Sequence, residues 1–298
     1  MTDHPNKRST APALATTPFT WRIIHFPPVL LLLAIIASGC TGMVATWAVR
    51  HVPGESGGPV AIARGALVAA MFIGMFIGFN RWIEHRIPRE FSYKGWAVEL
   101  GGGLLLGGGL FCAVVGVIWL GGGYHIVGYH PAAVLYPIIG ISILSGVVEE
   151  IMLRGLFFRL VEGWLGSWIA LALSAALFGA LHLGNDNATP LAGAAIALEA
   201  GVMLAALYMV TRRLWAVIGL HAAWNFTQGG VFGIAVSGNA VEGLLRPRIS
   251  GPNWLTGGPF GAEASLPAVL VCGMAGAVLI GVATRRGRVV APFWASRP

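Results

Sequence analysis

The sequence predicts an all-α protein, a polytopic transmembrane helical bundle of about eight spans. Three observations lead there. Of the 298 residues, 56% are hydrophobic and only 10% are charged, against about 25% charged in a soluble domain. The mean hydropathy is +0.75. Apolar runs of about 20 residues, the length that crosses a bilayer core, recur between charged or Gly/Pro-rich breaks. This pattern excludes a soluble fold, a disordered chain and a nucleic-acid partner. The net charge of +7, from 19 Lys and Arg against 12 Asp and Glu, reads as loop bias rather than a phosphate-binding face.

The runs lie near residues 27–49, 60–80, 97–120, 132–148, 166–183, 190–210, 214–236 and 266–284. The first, from about Val29 to Val49, follows a long polar segment, so it reads as a retained span rather than a shorter, cleaved signal core. The third contains Gly101–Gly103 and Gly107–Gly109, where small residues let helices approach closely in lipid. No strand precedes these glycines and no Lys follows, as a phosphate-cradling loop requires. The fourth run continues as helix through about Leu160, since no breaker intervenes. Ser237 to Leu266 reads as an ordered external loop with an interfacial Trp254. Cys40, Cys112 and Cys272 have no metal-ligand spacing and are expected to be packed free thiols. No internal repeat suggests an inverted-repeat carrier.

Eight spans with a cytoplasmic N-terminus place 15 Lys and Arg, Arg154 among them, on the cytoplasmic side and 4 (Arg50, Arg64, Arg246, Arg248) opposite. That is the positive-inside bias. It predicts a multi-pass protein of the plasma (inner) membrane with both termini cytoplasmic.

Ionisable groups inside a span cost at least ~2.5–3.5 kcal/mol near the bilayer centre, so each is a functional candidate. Three clusters stand out. In Ser145–Arg154, Glu150 and Arg154 are at i and i+4 and can pair, whereas Glu149 points about 100° away and is free for chemistry. In Phe178–His182, one turn lets the ring pack beside the imidazole and fix it. In His221–Asn225, two polar groups share one face of an apolar helix and call for a common polar cavity. A carboxylate and two imidazoles on successive helices suit activation of a water and stabilisation of an oxyanion, or an open divalent-metal site. Glu199, in the sixth run, is either protonated and structural or part of the site lining; Glu99 reads as interfacial. HExxH, GxSxG and GxGD patterns do not occur.

Glu-Glu-x-x-x-Arg, Phe-x-x-x-His and His-x-x-x-Asn, in this order on successive helices, resemble the CPBP (Abi-like) intramembrane protease family, which includes type II CAAX prenyl endopeptidases and bacteriocin-processing and immunity relatives. The resemblance covers about residues 130–235. It implies an endopeptidase acting on a membrane-associated protein or peptide within the lipid bilayer. In that scheme Glu149 and His182 activate water, His221 and Asn225 bind the oxyanion, and Glu150 with Arg154 holds the helix. The family has been described both as metalloproteases and as metal-free glutamate peptidases. A divalent metal such as zinc on Glu149, His182 and His221, or no metal, are both open. The chain then divides into a polar cytoplasmic tail (1–26), N-terminal transmembrane helices (27–128), a catalytic core (129–236), and a C-terminal part with external loop, last span and basic tail (237–298). The site cavity is expected to open on the cytoplasmic side. A secondary transporter with a Glu/His relay and a non-catalytic scaffold or immunity protein are the alternatives. The first lacks internal symmetry, and the second lacks a missing catalytic residue.

Overall fold

The computed structural model describes residues 19–55 and 57–295; Lys7, Arg8 and Arg297 lie outside them. After a short α1 (Phe19–Ile24), six long helices follow: α2 (Pro27–Arg50), α3 (Val60–Ile83), α4 (Trp96–Leu120), α5 (Ala132–Leu165), α6 (Ser167–Gly184) and α7 (Pro190–Thr211). Then come α8 (Trp215–Asn225), a short α9 (Asn253–Thr256) and α10 (Leu266–Arg285). The protein is an all-α integral membrane bundle. Among the described residues, seven helices, α2 to α7 and α10, are long and apolar enough to cross a membrane.

The boundaries follow local chemistry. Prolines occupy the first turns of α2, α7 and α10, where no backbone N–H partner is lost. Thr189 and Ser265 cap α7 and α10, their side-chain oxygens accepting from Ala192 N at 3.1 Å and Ala268 N at 3.2 Å. Gly166, at φ +82°, makes the sharp turn between α5 and α6. The predicted seventh run, 214–236, is shorter than expected. Eleven α-helical residues of α8 pass into the π-wound Phe226–Val231, and the chain then turns at Gly233, at φ +62°.

The sequence did not foretell a strand pair. β1 (Tyr124–Tyr129) and β2 (Leu245–Ile249) form an antiparallel two-stranded sheet, Tyr124 opposite Ile249, with a bulge between Ile126 and Gly128. Aromatic and β-branched residues after a glycine run favour extended backbone, and six residues are too few to cross the core.

Close backbone approach places the central helices. A Cβ on Gly103 or Gly107 of α4 would collide with the carbonyl oxygens of Ala216 and Leu220 on α8. Gly65 on α3 and Gly140 on α5 touch backbone to backbone, and Gly146 on α5 fits against Ala222 on α8. α8 is thereby wedged between α4 and α5.

The two ends of the bundle differ. One end is stitched by ion pairs: Arg86–Glu90 at 3.0 Å, Arg159–Glu84 at 2.6 Å, Arg213–Glu99 at 2.9 Å, and Arg212–Glu162. The opposite end carries the β-sheet and the loops that follow α8. Arg154, assigned by the sequence to a cytoplasmic segment, instead lies fully buried; its pairing with Glu150 draws it inward. Only Cys272 is packed in the interior. Cys40 and Cys112 lie on the outer surface, where apolar helix faces meet lipid rather than protein.

Candidate active site

The three predicted clusters come together where α5, α6 and α8 meet. Glu150 is fully buried, and its Oε1 accepts from Arg154 Nη1 at 2.9 Å and His221 Nδ1 at 2.8 Å. Arg154 also donates to the carbonyls of Ala200 and Gly201, at 3.3 and 3.2 Å, tying α5 to α7. Its guanidinium carbon stands 4.7 Å from the Phe178 ring centroid. The predicted Glu150–Arg154 pair is therefore present. The bond to His221 is an addition that spacing on one helix did not reveal.

Glu149 turns elsewhere, as its angular offset requires. Its side chain is 34% exposed, and Oε2 stands 3.9 Å from His221 Nε2, too long for a direct hydrogen bond. With Met152, Leu153, Phe178, Leu181, His182 and Asn185 it lines a cleft of about 190 Å³. His182 Nδ1 lies 2.7 Å from the Phe178 carbonyl oxygen, and the two rings are 4.7 Å apart. A carbonyl only accepts, so Nδ1 carries the proton, and Nε2 keeps its lone pair in the neutral ring.

Behind Phe178 and His182 lies a second, smaller cavity of about 20 Å³, room for one water. Its lining includes His221, Asn225, Glu199 and Glu263. Asn225 Nδ2 donates to Ser145 Oγ at 2.9 Å, which leaves its second amide hydrogen free. Neither Glu199 oxygen has an N–H or O–H partner among the described residues; the side chain meets the Cys272 thiol instead. Glu99, as expected, lies in the first turn of α4 and pairs with Arg213.

Two contributors escaped the sequence reading. Ser145 stands one turn before Glu149, but a serine in an apolar helix carries no distinctive signal. Glu263 comes from the loop after α8 and accepts from Ser237 N at 2.7 Å and Ser237 Oγ at 3.0 Å. Burial pushes its carboxyl above the usual carboxylate range, opposed by nearby His182 and by the Ser237 bonds. An acid flanked by Phe260, Gly261, Ala262 and Ala264 was the available clue.

Three of the helices that line the site are π-wound beside it: Ile151–Phe158 directly after Glu150, Ala197–Gly201 around Glu199, and Phe226–Val231 directly after Asn225; α6 instead ends in a 3-10 turn, His182–Gly184. π-turns concentrate at functional sites because they re-aim side chains that a regular α-turn would stack.

As placed, the residues do not form a ready ligand set. Among the described residues no group of three or more His, Cys, Asp or Glu could hold a metal ion. Nδ1 of each histidine is already bonded within the protein. The α6–α7 connection borders the cleft. There Asn185 Nδ2 donates to the Ser237 carbonyl at 3.0 Å and Asn187 Nδ2 to that of Gly238 at 3.1 Å. Met152, Leu153 and Leu181 also border an apolar groove of about 560 Å³ against α2.

An α-helical membrane bundle with a buried Glu/Arg/His network beside an open Glu/His cleft is the class of protein that fold and site define. The family model of the type II CAAX prenyl endopeptidase Rce1-like proteins matches residues 131–227. The matched segment, about a third of the chain, holds all three motifs. No curated protein and no solved structure matches the chain.

Proposed function

We propose that the chain is an intramembrane endopeptidase that hydrolyses a peptide bond in a membrane-associated protein or peptide, CAAX-type or related. The observation that carries this reading is the division of labour across Phe178 and His182. A carboxylate and an imidazole face the open cleft, while His221 and Asn225 stand just behind it. Glu149 takes a proton from a water in the cleft, with His182 as its partner. The water oxygen attacks the scissile carbonyl, and the developing oxyanion accepts hydrogen bonds from His221 Nε2–H and the free Asn225 N–H. The donor role of His221 requires a proton on both ring nitrogens, and Glu150 holds the Nδ1 side. The C–N bond then breaks and the proton passes to the leaving amine.

The charge distribution supports an orientation with both termini cytoplasmic, and a plasma (inner) membrane location belongs to the same proposal. The four-part division of the chain, with catalysis in 129–236, belongs to the same proposal. The test is quantitative proteomics of protein termini in membranes carrying the wild type or Glu149→Gln, with metal analysis of the purified proteins. Termini that vanish in the variant support the proposal; an unchanged set of termini overturns it. Stoichiometric metal lost together with activity would replace the direct general-base step by a metal-assisted one.

A further inference from the structure

His182 stands where α6 stops being regular. The α-helical turns end at Leu181, and His182–Gly184 form a single 3-10 turn before the chain runs extended at Asn185. Past this point the helical ladder no longer fixes the backbone. Most residues of the connection to α7 are exposed, Leu183, Gly184, Asp186, Asn187 and Thr189 among them. A segment that buries so little apolar surface takes its position from the bonds it makes.

Those bonds run to one tight turn. Val236 and Asn239 pair across it, and its two central residues, Ser237 and Gly238, have φ of +48° and +88°, as in a two-residue hairpin turn. Asn185 Nδ2 donates to the Ser237 carbonyl at 3.0 Å and Asn187 Nδ2 to that of Gly238 at 3.1 Å. A Cβ on Gly238 would collide with the Asp186 carbonyl oxygen, so the two backbones touch. A serine with left-handed backbone persists only where its surroundings hold it. Glu263 supplies that hold: its Oε2 accepts from Ser237 N at 2.7 Å and from Ser237 Oγ at 3.0 Å. Gly238 N donates to the Phe260 carbonyl at 2.7 Å, and Phe260 packs in one buried cluster with Phe178. Glu263 is itself only 3% exposed and stands two residues before Ser265, the cap of α10. The turn hangs on this carboxylate, and the His182 segment hangs on the turn.

We propose that Glu263 is a positioning residue for the hydrolysis: acting through Ser237 and Asn185, it sets where His182 stands against Glu149. The consequence for catalysis rests on the peptidase reading; the placement of His182 does not. A misplacement of about 1 Å between reacting groups is enough to cost ~10²-fold in rate. The bonds rather than the charge do the positioning, because a neutral side-chain amide oxygen accepts the same two hydrogens. Glu263, Phe260 and the Ser237–Gly238 turn all lie beyond residues 131–227. The segment that carries the motifs is thus completed by the chain that follows it.

The test uses the full chain in nanodiscs with isotope-labelled histidine, and an internally quenched peptide ending in a farnesylated CAAX sequence as the cleavage probe. Nδ1 of His182 bonds to the Phe178 carbonyl. Its N–H resonance, assigned through His182→Gln, reports the placement of the ring without any turnover. Glu263→Ala is expected to shift or broaden that resonance and to lower kcat by about 10- to 100-fold, with KM changed by less than about twofold. Glu263→Gln should restore the resonance and most of the lost rate. Asn187→Asp removes one bond at an exposed position and leaves the fold intact. It should move the same resonance and lower kcat about fivefold. A resonance unmoved in Glu263→Ala and Asn187→Asp overturns the inference, as does equal loss of rate in Glu263→Gln and Glu263→Ala, or a loss carried by KM alone. Should Glu263→Ala not fold, Asn187→Asp decides. Movement of the resonance as expected, with no cleavage by the wild type, counts against the peptidase reading and upholds the placement of His182.

Discussion

Glu150 Oε1 is shared between Arg154 Nη1 at 2.9 Å and His221 Nδ1 at 2.8 Å, all three residues being buried. One carboxylate oxygen thus compensates the guanidinium of its own helix and orients an imidazole on another. Removing one partner from a buried pair leaves an uncompensated charge, at a cost of about 3–5 kcal/mol.

The adjacent glutamates should therefore fail differently. Glu150→Gln is expected to lower both thermal stability and activity, with Arg154→Leu alike in stability. Glu149→Gln, altering a side chain on the cleft surface, should keep the wild-type melting temperature and lose cleavage. Melting curves in detergent beside a cleavage assay decide it. Equal melting temperatures for the two glutamine variants would show that Glu150 has no structural share.

Asn225 tests the oxyanion assignment. Loss of one such donor costs about 10²–10³ in rate, so Asn225→Ala should lower single-turnover cleavage by that order with little change in substrate affinity. Ser145→Ala keeps the amide but frees its orientation, and a neutral hydrogen bond is worth about 1 kcal/mol. Its expected loss is about fivefold. Normal turnover with weakened substrate binding in Asn225→Ala would move this residue to recognition.

The glycine seam between α4 and α8 should be as sensitive as the site it holds. Gly107→Leu places a side chain against the Leu220 backbone, whereas a Cβ on Gly109 meets open space. The first should reduce folded yield and activity together, and Gly109→Ala should do neither. Size-exclusion recovery and protease resistance measure the difference.

Glu263 makes stability depend on pH. A carboxyl raised by burial keeps its proton longer in the folded state than in the unfolded one. Its contribution is present below the unfolded carboxylate value and is lost as pH rises through the folded one. Between ~pH 5 and ~pH 8 the wild type should lose more melting temperature than Glu263→Gln. Parallel curves for the two proteins would show that Glu263 titrates alike in both states.

Long apolar runs made the helices legible, and expensive polar residues within them made Glu149, Glu150, His182, His221 and Asn225 legible. What spacing missed were contacts made across elements. The Glu150–His221 bond joins residues 71 apart in sequence. Glu263 reaches the cavity from a loop whose composition spoke only of turns. The π-wound stretches were equally silent, because their residues suit α-helix just as well. α6 looked like one uniform span in hydropathy, while its regular turns end at Leu181 and His182–Gly184 form a 3-10 turn.

The wedged position of α8 bears on the lipid in which the protein works. Nine of its eleven residues are buried, so almost none of its surface touches acyl chains, and its shortness is a matter between helices. Hydrophobic mismatch acts on lipid-facing length. It therefore falls on outer helices such as α2, whose Leu32, Ile35 and Ile36 are exposed. Thinner or thicker bilayers would then tilt the apolar rim beside the cleft while the His221–Asn225 pair keeps its depth within the protein.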